Sequence, residues 1–313
     1  MNDQIGVEVW RGGVNIWECD EMGHMNVRFY VARAMEGLVG LADALGLEGA
    51  FRRNAQATFL LKDQHIRFLR EARPRGALHM TAGVVAIGED QARLLLLLVH
   101  SETGEISASF QTVVSHVTTA EARAFPWSDR TRARAAELTV AVPPSAAPRS
   151  LILDGVQETM ASIAEADRLG LIRLGAGAIG GGDCDVFGRM RPELFIGRVS
   201  DGVPRLAGVF RGDVVAGEAE RPARLGGAVL EYRLLHWAWP RAGDRFEIRS
   251  GLAGVDARTQ RMVHWMLDPV TGGAWGTSQA VAIALDLDAR KIVPISPEAQ
   301  ARIACRITPG LTL

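Results

Sequence analysis

The chain has 313 residues, enough for about two domains of ordinary size. Its 35 Lys and Arg nearly balance 36 Asp and Glu, which excludes a broad basic field for nucleic acid and an acidic solvating tail, and points to a small-molecule partner. No apolar run approaches the roughly 18 residues of a membrane span, and MNDQIGVEVW lacks the basic and apolar regions of a leader, so a cytoplasmic protein with no membrane partner is expected.

The opening strand leads into Cys19-Asp20-Glu21-Met22-Gly23-His24-Met25-Asn26, an acid and a histidine directly ahead of a helical pattern. Val31, Met35, Leu38, Ala42 and Leu45 recur at helical spacing, and Gly46 stands where a C-cap would, which predicts one helix of about 20 residues. Gly37 and Gly40 weaken that helix but admit close approach of another backbone, so it is expected inside a sheet rather than on a surface. Four strand-like segments follow, QHIRFLREA, ALHMTAGVVAIG, QARLLLLLVH and ISASFQTVVSHV, with links short enough for antiparallel hairpins. Residues 121–155, rich in Pro and Arg, read as a linker with some helix near Asp129 to Leu138. AVLEYRLLHWAW, DRFEIRSGLAGV, QRMVHWMLD and AWGTSQAVAIAL then form a second set of strands.

The second set belongs to an internal repeat. Residues 19–41 lie on 184–206 without a gap, with identities at Cys19, Asp20, Gly23, Met25, Arg33, Gly37 and Leu41. Average composition gives roughly one or two matches in such a window. The expected organisation is an α+β chain with units at 1–120 and 156–290, a linker at 121–155 and a tail at 291–313. Each unit is one strand, one long helix and four strands, its sheet curled round its helix.

Other signals are weaker. Gly175-Ala176-Gly177-Ala178-Ile179-Gly180 satisfies a dinucleotide fingerprint, but no helix follows to receive a pyrophosphate. Gly276-Thr277-Ser278-Gln279-Ala280 half matches a nucleophile elbow inside a predicted strand. Cys19, Cys184 and Cys305 are too scattered for a disulfide framework, and Asp20 with His24 lacks a third metal ligand. Arg67, Arg70, Arg73 and Arg75 suit either a phosphate grip or a solvated edge. Trp237, Trp239, Trp265 and Trp275 read as core, with an acyl pocket as the lesser alternative.

The order strand, Asp-x-x-Gly-His-Met-Asn, long helix and antiparallel sheet resembles the hotdog-fold acyl-CoA thioesterases, particularly the 4-hydroxybenzoyl-CoA thioesterase branch, here as a tandem pair. Asp20-x-x-x-His24-x-Asn26 is also similar to the double-hotdog acyl-carrier-protein thioesterases, with Met22 where that family has Asn. The resemblance implies a thioester hydrolase with Asp20 as nucleophile or general base, coenzyme A entering only as part of the substrate, and no further cofactor. It implies an oxyanion donor seven residues after the acid, which is the N–H of Val27; the second copy has Pro192 there, with no N–H. Gly23 belongs to the motif, His24 orients water or an amide or serves backbone, Asn26 caps the helix, and Asp185 is degenerate or binds substrate. In such pairs the pantetheine arm threads between the units, so a monomer is complete, although a homo-oligomer of double units also fits. A non-catalytic acyl-CoA-binding protein is the alternative.

Overall fold

A computed structural model describes residues 5–155, 158–210 and 224–313. Residues 1–4 of the stretch read as lacking a leader, and the expected start of the second unit at 156, lie outside them. The chain divides into two compact units, one of residues 1–148 and 183–194, the other of 149–182 and 195–313.

In the first unit β1 (Val7–Gly13), α1 (Val27–Ala44), β2 (Ala57–Phe68), β3 (Ala77–Ile87), β4 (Gln91–His100) and β5 (Ile106–Thr118) follow in the expected order. The sheet runs β1-β3-β4-β5-β2, every pair antiparallel. α1 buries Tyr30, Val31, Ala34, Gly37, Leu38, Leu41 and Ala42, one face of a 3.6-residue period, against β1, β3 and β4. The two helix glycines mark the approach: a Cβ on Gly37 would lie 2.4 Å from Met80 Sδ, and one on Gly40 2.3 Å from the Val9 carbonyl oxygen. This is the hotdog arrangement, a sheet about one long helix.

β2 differs in extent from the expected segment, starting at Ala57 and ending at Phe68. Phe59, Leu60 and Leu61 are all buried, so the strand lacks the period-two alternation that marks a half-exposed one. Residues 121–148, expected as a linker, lie along the first unit's sheet. There α2 (Asp129–Glu137) is capped by Ser128, Trp127 stacks on His116 at 4.5 Å, and in β3 the Val84 N–H donates to the Leu138 carbonyl while the Val84 carbonyl accepts from the Val140 N–H, both at 2.9 Å. Gln111 and Arg67 donate to the carbonyls of Ala146 and Ala147 at 2.9 and 3.1 Å, and Ala146 is fully buried with Leu95, Leu97 and Val99 on the face away from α1.

The second unit repeats the plan with β6 (Ile172–Ala178), α4 (Glu193–Phe210), β7 (Leu225–His236), β8 (Arg245–Val255), β9 (Gln260–Leu267) and β10 (Ala274–Asp286), in the order β6-β8-β9-β10-β7. The short α3 (Ile163–Arg168) precedes β6, and β11 (Lys291–Val293) and α5 (Pro297–Ala304) end the chain. Gly202, the repeat partner of Gly37, approaches β6 in turn, a Cβ there falling 2.8 Å from Leu174 Cβ. Trp265 packs with Ala161, Ala166, Leu171, Val263, Leu267 and Leu311 in an apolar cluster. β7 holds residues 149–153 by Glu231, which accepts from the N–H groups of Arg149 and Ser150, and by Arg233, which donates to the carbonyls of Ile152 and Leu153.

Candidate active site

The corner ahead of α1 is a one-turn hairpin. Cys19 bridges Met25, the Asp20 N–H donates to the His24 carbonyl at 3.0 Å, and the Gly23 N–H closes the turn on the Asp20 carbonyl at 3.0 Å. Gly23 has φ +78°, a conformation open to glycine at no steric cost, and no atom crowds it. Asp20 Oδ1 accepts from the Met22 N–H at 2.9 Å, which leaves Oδ2 facing His24 Nδ1 at 3.3 Å. Both side chains are largely but not wholly buried, 20% and 15% exposed. Asn26 caps α1 through a bond accepted from the Arg28 N–H, and Val27 is the first helical residue. Its N–H has no acceptor among the described residues, as expected for a first-turn amide, and it sits where the helix dipole favours negative charge. Thus Asp20, Gly23, His24, Asn26 and Val27 come together within one corner.

Two residues that motif reasoning passed over hold this corner. Glu18 is buried, accepts from the Asn15 N–H at 2.8 Å and pairs with Arg33 of α1, while its carbonyl accepts from the Asn26 N–H at 2.8 Å. Arg33 also lies over the Trp10 ring at 5.3 Å. The signal was available: an acid stands at 18 and 183 and an arginine at 33 and 198, each pair at the repeat offset. Tyr30 anchors the helix start from the other side, its hydroxyl accepting from the Ala72 N–H at 3.0 Å and its ring meeting Phe68 edge-on.

The second corner copies the backbone of the first. Cys184 bridges Met190, the Asp185 N–H donates to the Arg189 carbonyl, the Gly188 N–H to the Asp185 carbonyl, and the Arg191 N–H to the Asp183 carbonyl. Its chemistry differs. Asp185 Oδ1 accepts from both Phe187 and Arg189 N–H groups, at 2.8 and 3.0 Å, and Arg189 stands where His24 does. Pro192 precedes α4 and has no amide hydrogen. This corner groups with the first unit, and Arg189 Nη2 donates to the Thr119 carbonyl at 2.7 Å. Glu193, next along, is buried, and desolvation pushes its carboxyl up against the opposing pull of Arg191 and Arg28.

The weaker sequence signals fall into structural roles. Gly175 to Ala178 lie in strand β6, followed by the three-residue turn Gly181–Asp183, so no helix receives a phosphate there. Ser278 is an interior residue of strand β10. Arg67 is spent on backbone carbonyls, and Arg70 and Arg73 pair with Glu105 and Glu71. Trp237, Trp265 and Trp275 each donate their indole N–H within the fold, and Trp239 stacks on His236. Among the described residues no cluster of three His, Cys, Asp or Glu is arranged to hold a metal, and no helix is long and apolar enough to cross a membrane.

The profile of the thioesterase-like superfamily matches residues 14–135 and again 180–303. The chain belongs to that superfamily. Both matches include a corner and its helix, so the superfamily unit is present twice. A search of the curated proteins finds no match. Among solved structures, a Lactobacillus plantarum protein described as an oleoyl thioesterase is 11% identical with a TM-score of 0.65, covering 88% of this chain and 96% of its own. An acyl-ACP thioesterase from Bacteroides thetaiotaomicron is 10% identical with a TM-score of 0.62, covering 90% and 99%. The 12:0-ACP thioesterase from Umbellularia californica is 12% identical with a TM-score of 0.62, covering 88% and 93%. At these identities the likeness is one of fold, and it spans both units of this thioesterase-like chain.

Proposed function

We propose that this thioesterase-like protein hydrolyses an acyl-CoA thioester at the Asp20 corner. The observation that carries the reading is the pairing of the Asp20 carboxylate with His24 at 3.3 Å, beside a first-turn amide, Val27, with no acceptor among the described residues. A thioester carbonyl needs an attacking oxygen and donors aimed at the oxygen that gains charge. The Asp20 Oδ2 atom supplies the first, as nucleophile or as base toward water, with His24 to orient water or the carboxylate. The Val27 N–H at the positive end of α1 supplies the second. Asn26 keeps that helix start in place, and Gly23 allows the turn that brings the acid to it. The flexible arm of coenzyme A carries the thioester in, and no other cofactor takes part.

The test is release of free thiol from a panel of acyl-CoAs, beside the same acyl groups carried on an acyl carrier protein, since two of the structural relatives are acyl-ACP thioesterases. Saturable turnover of at least one acyl-CoA, at higher kcat/KM than its carrier-protein counterpart, is expected. Saturable binding without thiol release identifies a non-catalytic acyl-CoA-binding protein instead, and neither release nor binding contradicts the reading altogether.

A further inference from the structure

The short helical turn Ile16–Glu18 stands immediately before Cys19 and Asp20 and presents two opposite characters. Glu18 points inward, 3% exposed, to Arg33 of α1. Ile16 and Trp17 point outward, 74% and 73% exposed. The backbone of the turn is held, because the Asn15 N–H donates to Glu18 Oε2 at 2.8 Å, the Glu18 N–H to the Asn15 carbonyl at 3.1 Å and the Asn26 N–H to the Glu18 carbonyl at 2.8 Å, so the indole is carried on a fixed mount. An exposed apolar pair on a rigid turn beside a reactive carboxylate calls for an occupant.

Comparison with the second copy sharpens this. The equivalent short turn, Gly181–Asp183, keeps an acid, the half-buried Asp183, but carries Gly181 and Gly182 where Ile16 and Trp17 stand, and no atom lies within 4 Å of a Cβ built on either glycine. The bulky apolar pair is therefore not a requirement of the turn. It accompanies the corner that has Asp20, His24 and an amide-bearing Val27, and is missing from the corner that has Arg189 and Pro192.

We infer that Trp17, with Ile16 beside it, is a substrate-binding surface for the phosphopantetheine arm of the thioester. This rests on the hydrolase reading of the Asp20 corner. The arm rather than the acyl group is assigned because Trp17 is at the surface. An acyl chain gains from burial, whereas the arm must lead out to solvent, and its amides and geminal methyl groups suit the face and edge of an indole. Coenzyme A and carrier proteins share this arm.

The test compares wild type, Trp17→Ala and Trp17→Phe on one acyl group presented as a CoA thioester, as a carrier-protein thioester and as an N-acetylcysteamine thioester, which lacks the outer part of the arm. Trp17→Ala is expected to lower kcat/KM about tenfold on the first two, the change that goes with losing part of an indole's contact, and to leave the truncated thioester's value within twofold of wild type. Trp17→Phe is expected to recover most of the loss. Titration with free coenzyme A separates this inference from the reading it rests on: a roughly tenfold weaker Kd in Trp17→Ala supports the arm surface even if wild type releases no thiol. Equal loss on all three substrates, loss on the carrier-protein thioester alone, or an unchanged Kd for coenzyme A overturns it. So does unchanged binding accompanied by dissociation of an oligomer on light scattering, which makes Trp17 a contact between copies.

Discussion

Asp20 and Asp185 occupy the same turn with the same backbone bonds, yet one carboxylate keeps an oxygen toward a histidine while the other has an oxygen doubly tied to its own turn. The neighbouring sulfur is a poor competitor for the role of nucleophile. Burial pushes the Cys19 thiol up, and the charges of Asp20 and Glu18 push it further, so it stays protonated where a reactive cysteine needs a thiolate. Elsewhere, His264 is buried with its Nδ1 2.7 Å from Ser250 Oγ, and desolvation holds its pKa down to about 3. A depressed pKa means that the unfolded chain takes up the proton first. The stability tied to neutral His264 is therefore complete above about pH 6.5 and lost progressively toward about pH 3, by up to a few kcal/mol. Urea unfolding from pH 7 down to pH 4 is expected to show a steeper loss in wild type than in His264→Gln; parallel curves contradict the assignment.

At the scale of elements, α1 was readable because its apolar spacing and its two glycines are local signals. The packing behind them was not, since it depends on which strand arrives. Gly40 meets a backbone carbonyl, which cannot step aside, whereas Gly37 meets the end of the Met80 side chain, which can rotate. Gly40→Ala is accordingly expected to cost about 1–3 kcal/mol even after the helix-propensity gain, and Gly37→Ala clearly less, read as midpoint shifts in urea. The reverse order contradicts the packing of α1 on β1. The Pro- and Arg-rich stretch after β5 carries no periodicity, so its sequence reads as a linker, but single contacts such as Gln111 with Ala146 and Trp127 on His116 lay it along the sheet. Glu18 with Arg33, an ion pair between residues 15 apart, leaves no local pattern either, and its one trace in the sequence is the recurrence of acid and arginine at 183 and 198.

Across the whole molecule the repeat is kept as a frame and changed in content. Ser250, His264 and Ser278 stand side by side on β8, β9 and β10, at positions where the first unit carries Ala82, Leu96 and Phe110 on β3, β4 and β5. All six are buried, so one unit has a polar row where the other has an apolar one. The succession of strand, helix and strands along the chain was legible because the frame is written twice, whereas the order of strands within each sheet and the geometry of the corner turns rest on long-range pairing. The inequality of the corners was legible at Pro192, at Arg189 in place of His24 and at Arg191 in place of Asn26, while the second use of Asp185 Oδ1 shows only in the folded turn. That inequality is the central claim, and initial rates of thiol release from one acyl-CoA by wild type, Asp20→Asn and Asp185→Asn test it most directly. A fall of at least about 100-fold in Asp20→Asn with Asp185→Asn within about threefold of wild type is the result expected; equal loss in both variants, or loss in Asp185→Asn alone, contradicts it.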